Sequence, residues 1–166
     1  MGSEMCIRDS RQTGCQMDLD QLMRQVTERK YRPGAYAVEY DRFSFIYQFI
    51  ARNVERNGQH VQVVLLSMEL PKDREISLER IEDSLVLLES AIVRSLRRGD
   101  VTSRFSSTQQ VVVLMDASKE DGVMVANRIL KKYNTLAKEA AITARFDIVE
   151  VPHAFSKRTE KNEEKA

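Results

Sequence analysis

Residues 104–114 read RFSSTQQVVVL, two apolar runs separated by a short polar stretch. The flanking segments VTSRF (101–105) and QVVVLM (110–115) have the composition of β-strands, so the polar connection between them predicts a β-hairpin. That connection carries no charge, although 31% of the chain is charged. An exposed turn without charge is unexpected in such a chain, and its chemistry is the first question the sequence raises.

Upstream of the hairpin, a strand and a helix are predicted. Residues 61–70 (VQVVLLSMEL) are too apolar for a surface strand and indicate a central strand buried on both faces. Ser77 is placed to cap a long amphipathic helix. We expect Arg97 and Arg98 in its last turn, where cations suit the helix dipole, and Gly99 as the residue that ends it.

Downstream of the hairpin, the pattern mirrors the upstream half. Ser118 and Asp121 have the spacing of a capping box and predict the start of a helix. Residues 142–151 (ITARFDIVEV) then alternate as in a strand. The order β-α-β-β-α-β predicts an α+β fold of the ferredoxin-like or nucleotide-cyclase type, with a central antiparallel sheet flanked by helices.

The N-terminal part divides into separate segments. Apolar spacing predicts one helix over 18–30 and a second over 40–57, with Pro33 and Gly34 breaking the chain between them. We therefore expect a disordered or artefactual N-terminus at 1–16, a helical connector at 17–34, one domain at 35–151 and a charged tail at 152–166.

Composition excludes several classes of protein. Lys+Arg is 26 and Asp+Glu is 25, so the net charge of +1 gives no basic field for nucleic acid. No apolar run predicts a membrane span or a signal peptide. Cys6 and Cys15 both lie outside the predicted core, which fits a reducing compartment better than a disulfide scaffold. We expect a cytoplasmic protein.

The stretch LRRGDVTSRFSSTQQVVVLMDASKEDGVMVANRIL resembles the centre of a GGDEF domain, the diguanylate cyclase module. In that family an R-x-x-D motif is followed, five residues on, by the Gly-Gly-Asp/Glu-Glu-Phe hairpin; here Arg97 and Asp100 precede VTSRF and then SSTQQ. The resemblance covers roughly residues 41–151. It implies a domain of a bacterial signalling protein that acts with other domains, and a possible homodimer.

The chain departs from the family at the residues that carry the chemistry. The two glycines correspond to Ser106 and Ser107, and the two acids to Thr108 and Gln109. The family joins two GTP molecules with Mg²⁺ held by carboxylates, and glycine lets the backbone approach the nucleotide closely. The resemblance with these replacements predicts a degenerate hairpin that does not support the reaction.

The central strand shows a matching loss. The family's first metal-binding aspartate corresponds to Ser67, and only Glu69, two residues later, keeps an acid. Neutral hydroxyls and amides do not balance a Mg²⁺–triphosphate in a site of low dielectric. We therefore expect a catalytically inactive domain with no bound Mg²⁺ and no other cofactor. A cyclase with a rebuilt site is the residual alternative.

The resemblance also implies a regulatory ligand. The family's inhibitory site for cyclic di-GMP is built from the R-x-x-D arginine and aspartate with a further arginine on the next helix, which correspond to Arg97, Asp100 and Arg128. Arginine forks suit phosphate and guanine, and an aspartate accepts guanine's N–H groups. All three are also explained as ordinary helix-end or solvated surface residues.

Other candidate sites are weaker on the sequence. His60 and His153 are 93 positions apart with no acid or cysteine at ligand spacing, so no metal site is expected. No Gly-rich phosphate loop or nucleophile motif is present. The alternative to a cyclic di-GMP effector is a protein–protein interaction or dimerisation module of a response regulator without a nucleotide ligand.

Overall fold

Helix α1, Leu19–Val26, lies in a first unit at residues 1–32, and residues 33–166 form a second unit. In this computed structural model the described residues are 18–138 and 141–153. The N-terminus expected at 1–16, with Cys6 and Cys15, and all but two residues of the tail expected at 152–166 lie outside them.

Helix α1 starts where the sequence indicates and ends earlier. The Asp18 carboxylate accepts a hydrogen bond from the backbone N–H of Gln21, and the Gln21 side chain accepts one from Asp18, which closes a capping box. The helix ends at Val26, so the predicted extension to residue 30 is wrong. All four of its apolar residues are exposed: Leu19, Leu22, Met23 and Val26.

The second unit is built on a five-stranded sheet in the order β1-β3-β4-β2-β5. The strands are β1 (Tyr36–Ala37), β2 (Gln62–Glu69), β3 (Val101–Ser106), β4 (Gln109–Leu114) and β5 (Thr143–Glu150). Strand β2 lies between β4 and β5 and pairs antiparallel with both, and β3 pairs antiparallel with β4. These pairings confirm the predicted α+β fold with a central antiparallel sheet.

Three helices connect the strands: α2 (Tyr40–Asn57), α3 (Leu78–Val93) and α4 (Lys119–Leu136). Gly58 ends α2 in the left-handed conformation, Ser77 caps α3, and Ser118 with Asp121 forms the predicted capping box of α4. None of the described helices combines the length and the apolar composition that a bilayer span requires.

The two faces of the sheet bury separate clusters. Helices α3 and α4 cover one face, where Leu66 and Val112 pack with Leu85, Leu88 and Tyr133. Helix α2 packs on the other face. The smaller buried cluster there combines residues of α2 with residues of the sheet and its flanks: Ile50, Val54, Val61, Val101, Val113 and Val151. Because side chains alternate along a strand, residues 66 and 67 of β2 face opposite sides.

The prediction that Arg97 and Arg98 lie in the last turn of α3 is wrong. Helix α3 ends at Val93, and residues 94–99 form turns, so Gly99 is not its cap. The backbone N–H of Arg97, which would continue the helix, instead donates to the Asp100 carboxylate at 2.9 Å. The Ser95 N–H already bonds three residues back, to the Ile92 carbonyl at 2.9 Å, and the side chain of Asp100 then holds the following turn out of the helix.

Strand β1 was not predicted. It is two residues long, too short for a periodic pattern, and lies in the GAYAVEYDR stretch. It pairs parallel with β3 and is bounded by hydrogen bonds from Tyr36 N–H to Asp100 O at 2.7 Å and from Val38 N–H to Thr102 O at 3.0 Å.

Candidate functional site

The predicted hairpin is present, and its turn consists of Ser107 and Thr108. Ser106 pairs with Gln109, and Arg104 pairs with Gln110, so Phe105 is an extra residue that forms a β-bulge. The backbone N–H of Met68 donates to the Thr108 carbonyl at 2.8 Å, which ties the turn to the end of β2. The hairpin tip is thus a fixed part of the sheet.

Ser67, Ser106 and Gln109, three of the positions predicted to be degenerate, form one neutral hydrogen-bond network. Gln109 Nε2 donates to Ser67 Oγ at 3.0 Å, which joins β4 to β2. Ser106 Oγ lies 3.5 Å from Gln109 Oε1 and accepts from the Thr108 backbone N–H at 3.3 Å. The structure therefore brings Ser67, Ser106 and Gln109 together, with the Thr108 backbone beside them, and joins them by hydrogen bonds between neutral groups.

The acid that remains near this network is engaged elsewhere. Glu69 lies two residues beyond Ser67, and its Oε1 is 3.0 Å from Arg145 Nε on the neighbouring strand β5. Arg145 also contacts Asp147 at 2.6 Å. The arginine balances both carboxylates, which lowers the negative charge available to a cation on this face.

Arg104 binds two glutamates on the opposite face of the sheet. Its guanidinium donates to Glu82 and to Glu89 of α3, each at 3.0 Å, and Gln110 Nε2 donates to Glu89 at 2.7 Å. The hydrogen bond with Glu82, with a smaller contribution from Glu89, raises the pKa of Arg104 above its ordinary value. The sequence shows these charges, but only the packing of α3 on β3 brings them together.

Asp100 organises the turn that precedes β3. It is buried, with 6% of its surface exposed. Its Oδ2 accepts from the backbone N–H of Arg97 at 2.9 Å, and its Oδ1 accepts from the backbone N–H of Met115 at 3.1 Å. Both carboxylate oxygens thus hold the backbone of the turn against the end of β4.

Arg97, Asp100 and Arg128 meet at one cavity. They line a volume of about 140 Å³ together with residues of β4 and α4. Arg128 Nη2 donates to the Ser95 carbonyl at 2.6 Å, which fixes α4 to the turn after α3. Arg97 is exposed, and among residues 18–138 and 141–153 no side chain or backbone group accepts from its guanidinium.

A second group of polar residues, which the sequence did not predict as a site, lies at the opposite end of β5. His60 Nδ1 is 2.5 Å from Glu150 Oε1, and the His60 and His153 rings have centroids 5.8 Å apart. The hydrogen bond and charge of Glu150, with a smaller effect of Asp116, raise the pKa of His60. The prediction that His60 and His153 lie far apart with no acid at ligand spacing is wrong about their arrangement, because the β2–β5 pairing brings residues that are distant in the sequence next to one another.

Several solved structures with the same architecture are diguanylate cyclases or GGDEF domains. A DGC protein from Thermotoga maritima superposes with a TM-score of 0.57 at 16% identity, over 71% of this chain and 82% of that one. The chain has the fold of a GGDEF domain. Diguanylate cyclase SiaD from Pseudomonas aeruginosa, in complex with its activator SiaC, gives a TM-score of 0.58 at 16% identity over 95% of this chain and 63% of that one.

A further GGDEF-type neighbour was solved with a ligand. The GGDEF domain of DgcB from Caulobacter crescentus, in complex with c-di-GMP, matches with a TM-score of 0.53 at 11% identity over 75% of this chain and 80% of that one. No protein-family model matches the sequence, and no curated protein matches it significantly. The similarity to these proteins is therefore one of fold and not of sequence. Within this fold, the neutral hydrogen-bond network lies at the tip of the β3–β4 hairpin.

Proposed function

We propose that this chain is a signalling protein whose GGDEF-type domain has no diguanylate cyclase activity. The observation that carries the proposal is the hydrogen bond between Gln109 and Ser67, at 3.0 Å. These residues stand where the resemblance places metal-binding carboxylates. An amide and a hydroxyl that are hydrogen-bonded to each other are both neutral, so they supply no negative charge to a divalent cation.

The charges near the tip support this proposal. Mg²⁺ binds hard anionic oxygens, usually one or two carboxylates with substrate phosphates. Glu69, the nearest acid on the same face of β2, is 3.0 Å from Arg145. A metal ion at Ser67 would find no carboxylate at that position. To gain Glu69 as a ligand, it would have to break the ion pair with Arg145 and the hydrogen bond between Ser67 and Gln109. Loss of one such charge-stabilising contact costs about 3 kcal/mol at the transition state.

Incubation of the purified protein with GTP and Mg²⁺ or Mn²⁺ tests the proposal. We expect no pppGpG and no cyclic product by chromatography, under conditions in which an active diguanylate cyclase converts its substrate. Product formation that disappears in both Ser67→Ala and Gln109→Ala would contradict the proposal and establish a rebuilt cyclase. Product that persists in both variants would be assigned to a contaminating enzyme, and the proposal would stand.

As its signalling role, we propose that the domain binds cyclic di-GMP at the cavity formed by Arg97, Asp100 and Arg128. The support is that all three residues line the same cavity of about 140 Å³. That volume is below the range of pockets that enclose a whole small molecule. It suits one end of a dinucleotide, with the remainder lying across the exposed surface beside Arg97.

The contacts assign different roles to the three residues. Asp100 holds the turn with both carboxylate oxygens, so its main contribution is to position the Arg97 backbone. Arg97 offers a guanidinium that no described group engages, suited to bidentate contact with phosphate or guanine. Arg128 keeps further N–H donors besides the one given to Ser95 O. The DgcB domain in complex with c-di-GMP supports this ligand by analogy.

Calorimetric titration with cyclic di-GMP tests the binding role. We expect saturable binding that weakens at least about tenfold in Arg97→Ala, because a charge-assisted contact is lost. Arg98→Ala is the matched control, since it removes the same charge one residue away and should bind like the wild type. Absence of heat with folded protein at tens of micromolar ligand would exclude the role.

Dimerisation through α1 is a second candidate function. Leu19, Leu22, Met23 and Val26 follow the spacing of one helical stripe, and each is 43–71% exposed. A neighbour of this chain comprises the coiled coil and GGDEF domain of DgcB. Light scattering should show a dimer that Leu22→Glu dissociates and Gln25→Glu, off the stripe, does not. A monomer at all concentrations would exclude this candidate.

A further inference from the structure

Three side chains meet at the end of β5 that is remote from the hairpin tip: His60, Glu150 and His153. We propose that they form a binding site for a divalent transition-metal ion, such as Zn²⁺. The side-chain atoms able to bind an ion, one per residue, all lie within 4.8 Å of one another. This site is independent of the cyclic nucleotide proposal and uses none of its residues.

The β2–β5 pairing holds the three residues in place. Gln62 lies opposite Glu150, and one step further the backbone N–H of Val151 donates to the Val61 carbonyl at 2.8 Å. His60 therefore lies diagonally across from Glu150, at a distance where side chains of neighbouring strands touch. The His60 carbonyl also accepts from the backbone N–H of Ala117 at 2.9 Å, which anchors the loop before β2.

The distances fit an ion after small rotations of the side chains. His60 Nδ1 is 2.5 Å from Glu150 Oε1, and His153 Nε2 is 4.0 Å from the same oxygen. Bonds of about 2.0–2.2 Å to one ion place its ligand atoms roughly 3–4 Å apart. The ion would take the position of the proton now shared by His60 and Glu150, so His60 binds through the nitrogen that already faces the carboxylate.

The ligand types select the class of ion. Two imidazoles and one carboxylate are a donor set that zinc and neighbouring first-row metals accept. Mg²⁺ and Ca²⁺ prefer all-oxygen ligands and find one carboxylate here. The nearby Asp116, which acts electrostatically on His60, adds negative charge that favours a cation.

Exposure leaves the site accessible to solvent. The side chains of His60, Glu150 and His153 are 65%, 38% and 32% exposed. An ion can therefore reach them without unfolding of the strand, and its remaining coordination positions face water. Three protein ligands would leave one position of the ion open to water, in contrast to closed structural sites with four protein ligands.

Binding at this position would link two separate parts of the chain. His60 lies in the loop before β2, and His153 lies beyond the end of β5. An ion that binds the folded chain and not the unfolded chain stabilises the fold by an amount that rises with the logarithm of its free concentration above the dissociation constant. We therefore expect metal occupancy to raise the melting temperature and to fix the chain where it leaves β5.

Calorimetric titration with Zn²⁺ tests the site. The protein is used without an affinity tag and with Cys6→Ser and Cys15→Ser, because thiols bind Zn²⁺ by themselves. We expect one ion per chain, at least about tenfold weaker binding in each of His60→Ala, His153→Ala and Glu150→Gln, and no effect of excess Mg²⁺. Glu55→Gln, on the exposed surface of α2, is the charge-matched control and should bind like the parent.

Thermal unfolding gives a second readout. Zn²⁺ should raise the melting temperature of the parent and of Glu55→Gln, and should leave the His60→Ala and His153→Ala variants unchanged. No heat on titration of folded parent protein would overturn the site. The same conclusion follows if binding is equal in the parent and both histidine variants, or if Mg²⁺ displaces the ion.

Discussion

Asp100 Oδ1 accepts a hydrogen bond from the backbone N–H of Met115 at 3.1 Å, which fastens the turn before β3 to the end of β4. The other oxygen of the same carboxylate accepts from the backbone N–H of Arg97 at 2.9 Å. A buried carboxylate that satisfies two backbone donors is a structural residue whatever ligand lies nearby. The R-x-x-D motif of this chain therefore combines one residue that builds the turn with one that faces solvent.

Replacement of Asp100 should destabilise the domain. Asp100→Ala leaves the N–H groups of Arg97 and Met115 without their acceptor, and we expect a loss of about 2–4 kcal/mol in the free energy of unfolding. Urea denaturation measures this. Arg97→Ala, by contrast, should change stability by less than about 0.5 kcal/mol, because its side chain is exposed. Equal stability of Asp100→Ala and the wild type would contradict the assigned role.

Gly34 should tolerate no side chain. Its φ is +83°, and a Cβ there would lie 2.5 Å from the Val93 carbonyl oxygen. Gly34→Ala therefore combines an unfavourable backbone conformation with a clash at the end of α3, and we expect it to cost about 3 kcal/mol or more by thermal or urea unfolding.

Two other glycines provide graded controls for that variant. Gly58 also has a positive φ, of +68°, but a Cβ there meets no atom within 4 Å. Gly58→Ala should cost about 1 kcal/mol from the backbone alone. Gly99 has neither constraint, so Gly99→Ala should be within about 0.5 kcal/mol of the wild type. Equal effects at all three positions would show that the close approach of Gly34 to Val93 is absent in solution.

Tyr133 should make stability depend on pH in alkaline solution. Its ring is buried, and its hydroxyl donates to the Ile142 carbonyl at 2.9 Å. Burial is the largest effect and raises the pKa of Tyr133 above the ordinary value of 10.0. The folded chain thus favours the neutral phenol, which adds to the free energy of unfolding. This added stability is fully present below pH 10.0 and is lost as the pH rises through the raised pKa of Tyr133 in the folded chain.

Unfolding measured from neutral to strongly alkaline pH tests this dependence. Tyr133→Phe should remove the part of the decrease in the free energy of unfolding at alkaline pH that is due to this phenol. It should also cost about 1 kcal/mol at neutral pH, since the Ile142 carbonyl loses its donor. Tyr36→Phe, at an exposed position, should leave the profile unchanged. A Tyr133→Phe profile that matches the wild type would contradict the prediction.

The Arg104 cluster should show modest, salt-dependent coupling. Arg104 contacts Glu82 at 3.0 Å, with both side chains about half exposed. A double-mutant cycle with Arg104→Gln and Glu82→Gln should give a coupling of up to about 1 kcal/mol that decreases with added salt. Coupling that is unaffected by salt would indicate a pair shielded from solvent.

Much of the fold could be predicted from local patterns. The apolar run of β2, the caps Ser77 and Ser118, and the alternation of β5 each specify an element within a few residues of itself. The errors arise where distant residues decide the outcome. The helical pattern of α3 is lost at Ser95, and Asp100, several residues further on, holds the Arg97 N–H in the turn that follows. Strand β1 forms against the carbonyls of Asp100 and Thr102, at the start of β3.

The candidate sites also differ in whether their residues are close in the sequence or are brought together only by the fold. Arg97 and Asp100 are near neighbours in the sequence, and the family resemblance implied a common site with Arg128; the three residues line one cavity. His60 and Glu150 are 90 positions apart and meet only through the β2–β5 register. Their proximity could be predicted only once β2 and β5 are known to pair, by comparing the residues that flank the paired ends of the two strands.

The parallel pair of β1 and β3 links the segment at Tyr36 to the turn that precedes β3 and carries Arg97. Tyr36 N–H binds the Asp100 carbonyl, and the side chain of the same Asp100 closes the turn that presents Arg97. A movement of this turn and a movement of the segment at Tyr36 are therefore coupled through the same few backbone hydrogen bonds.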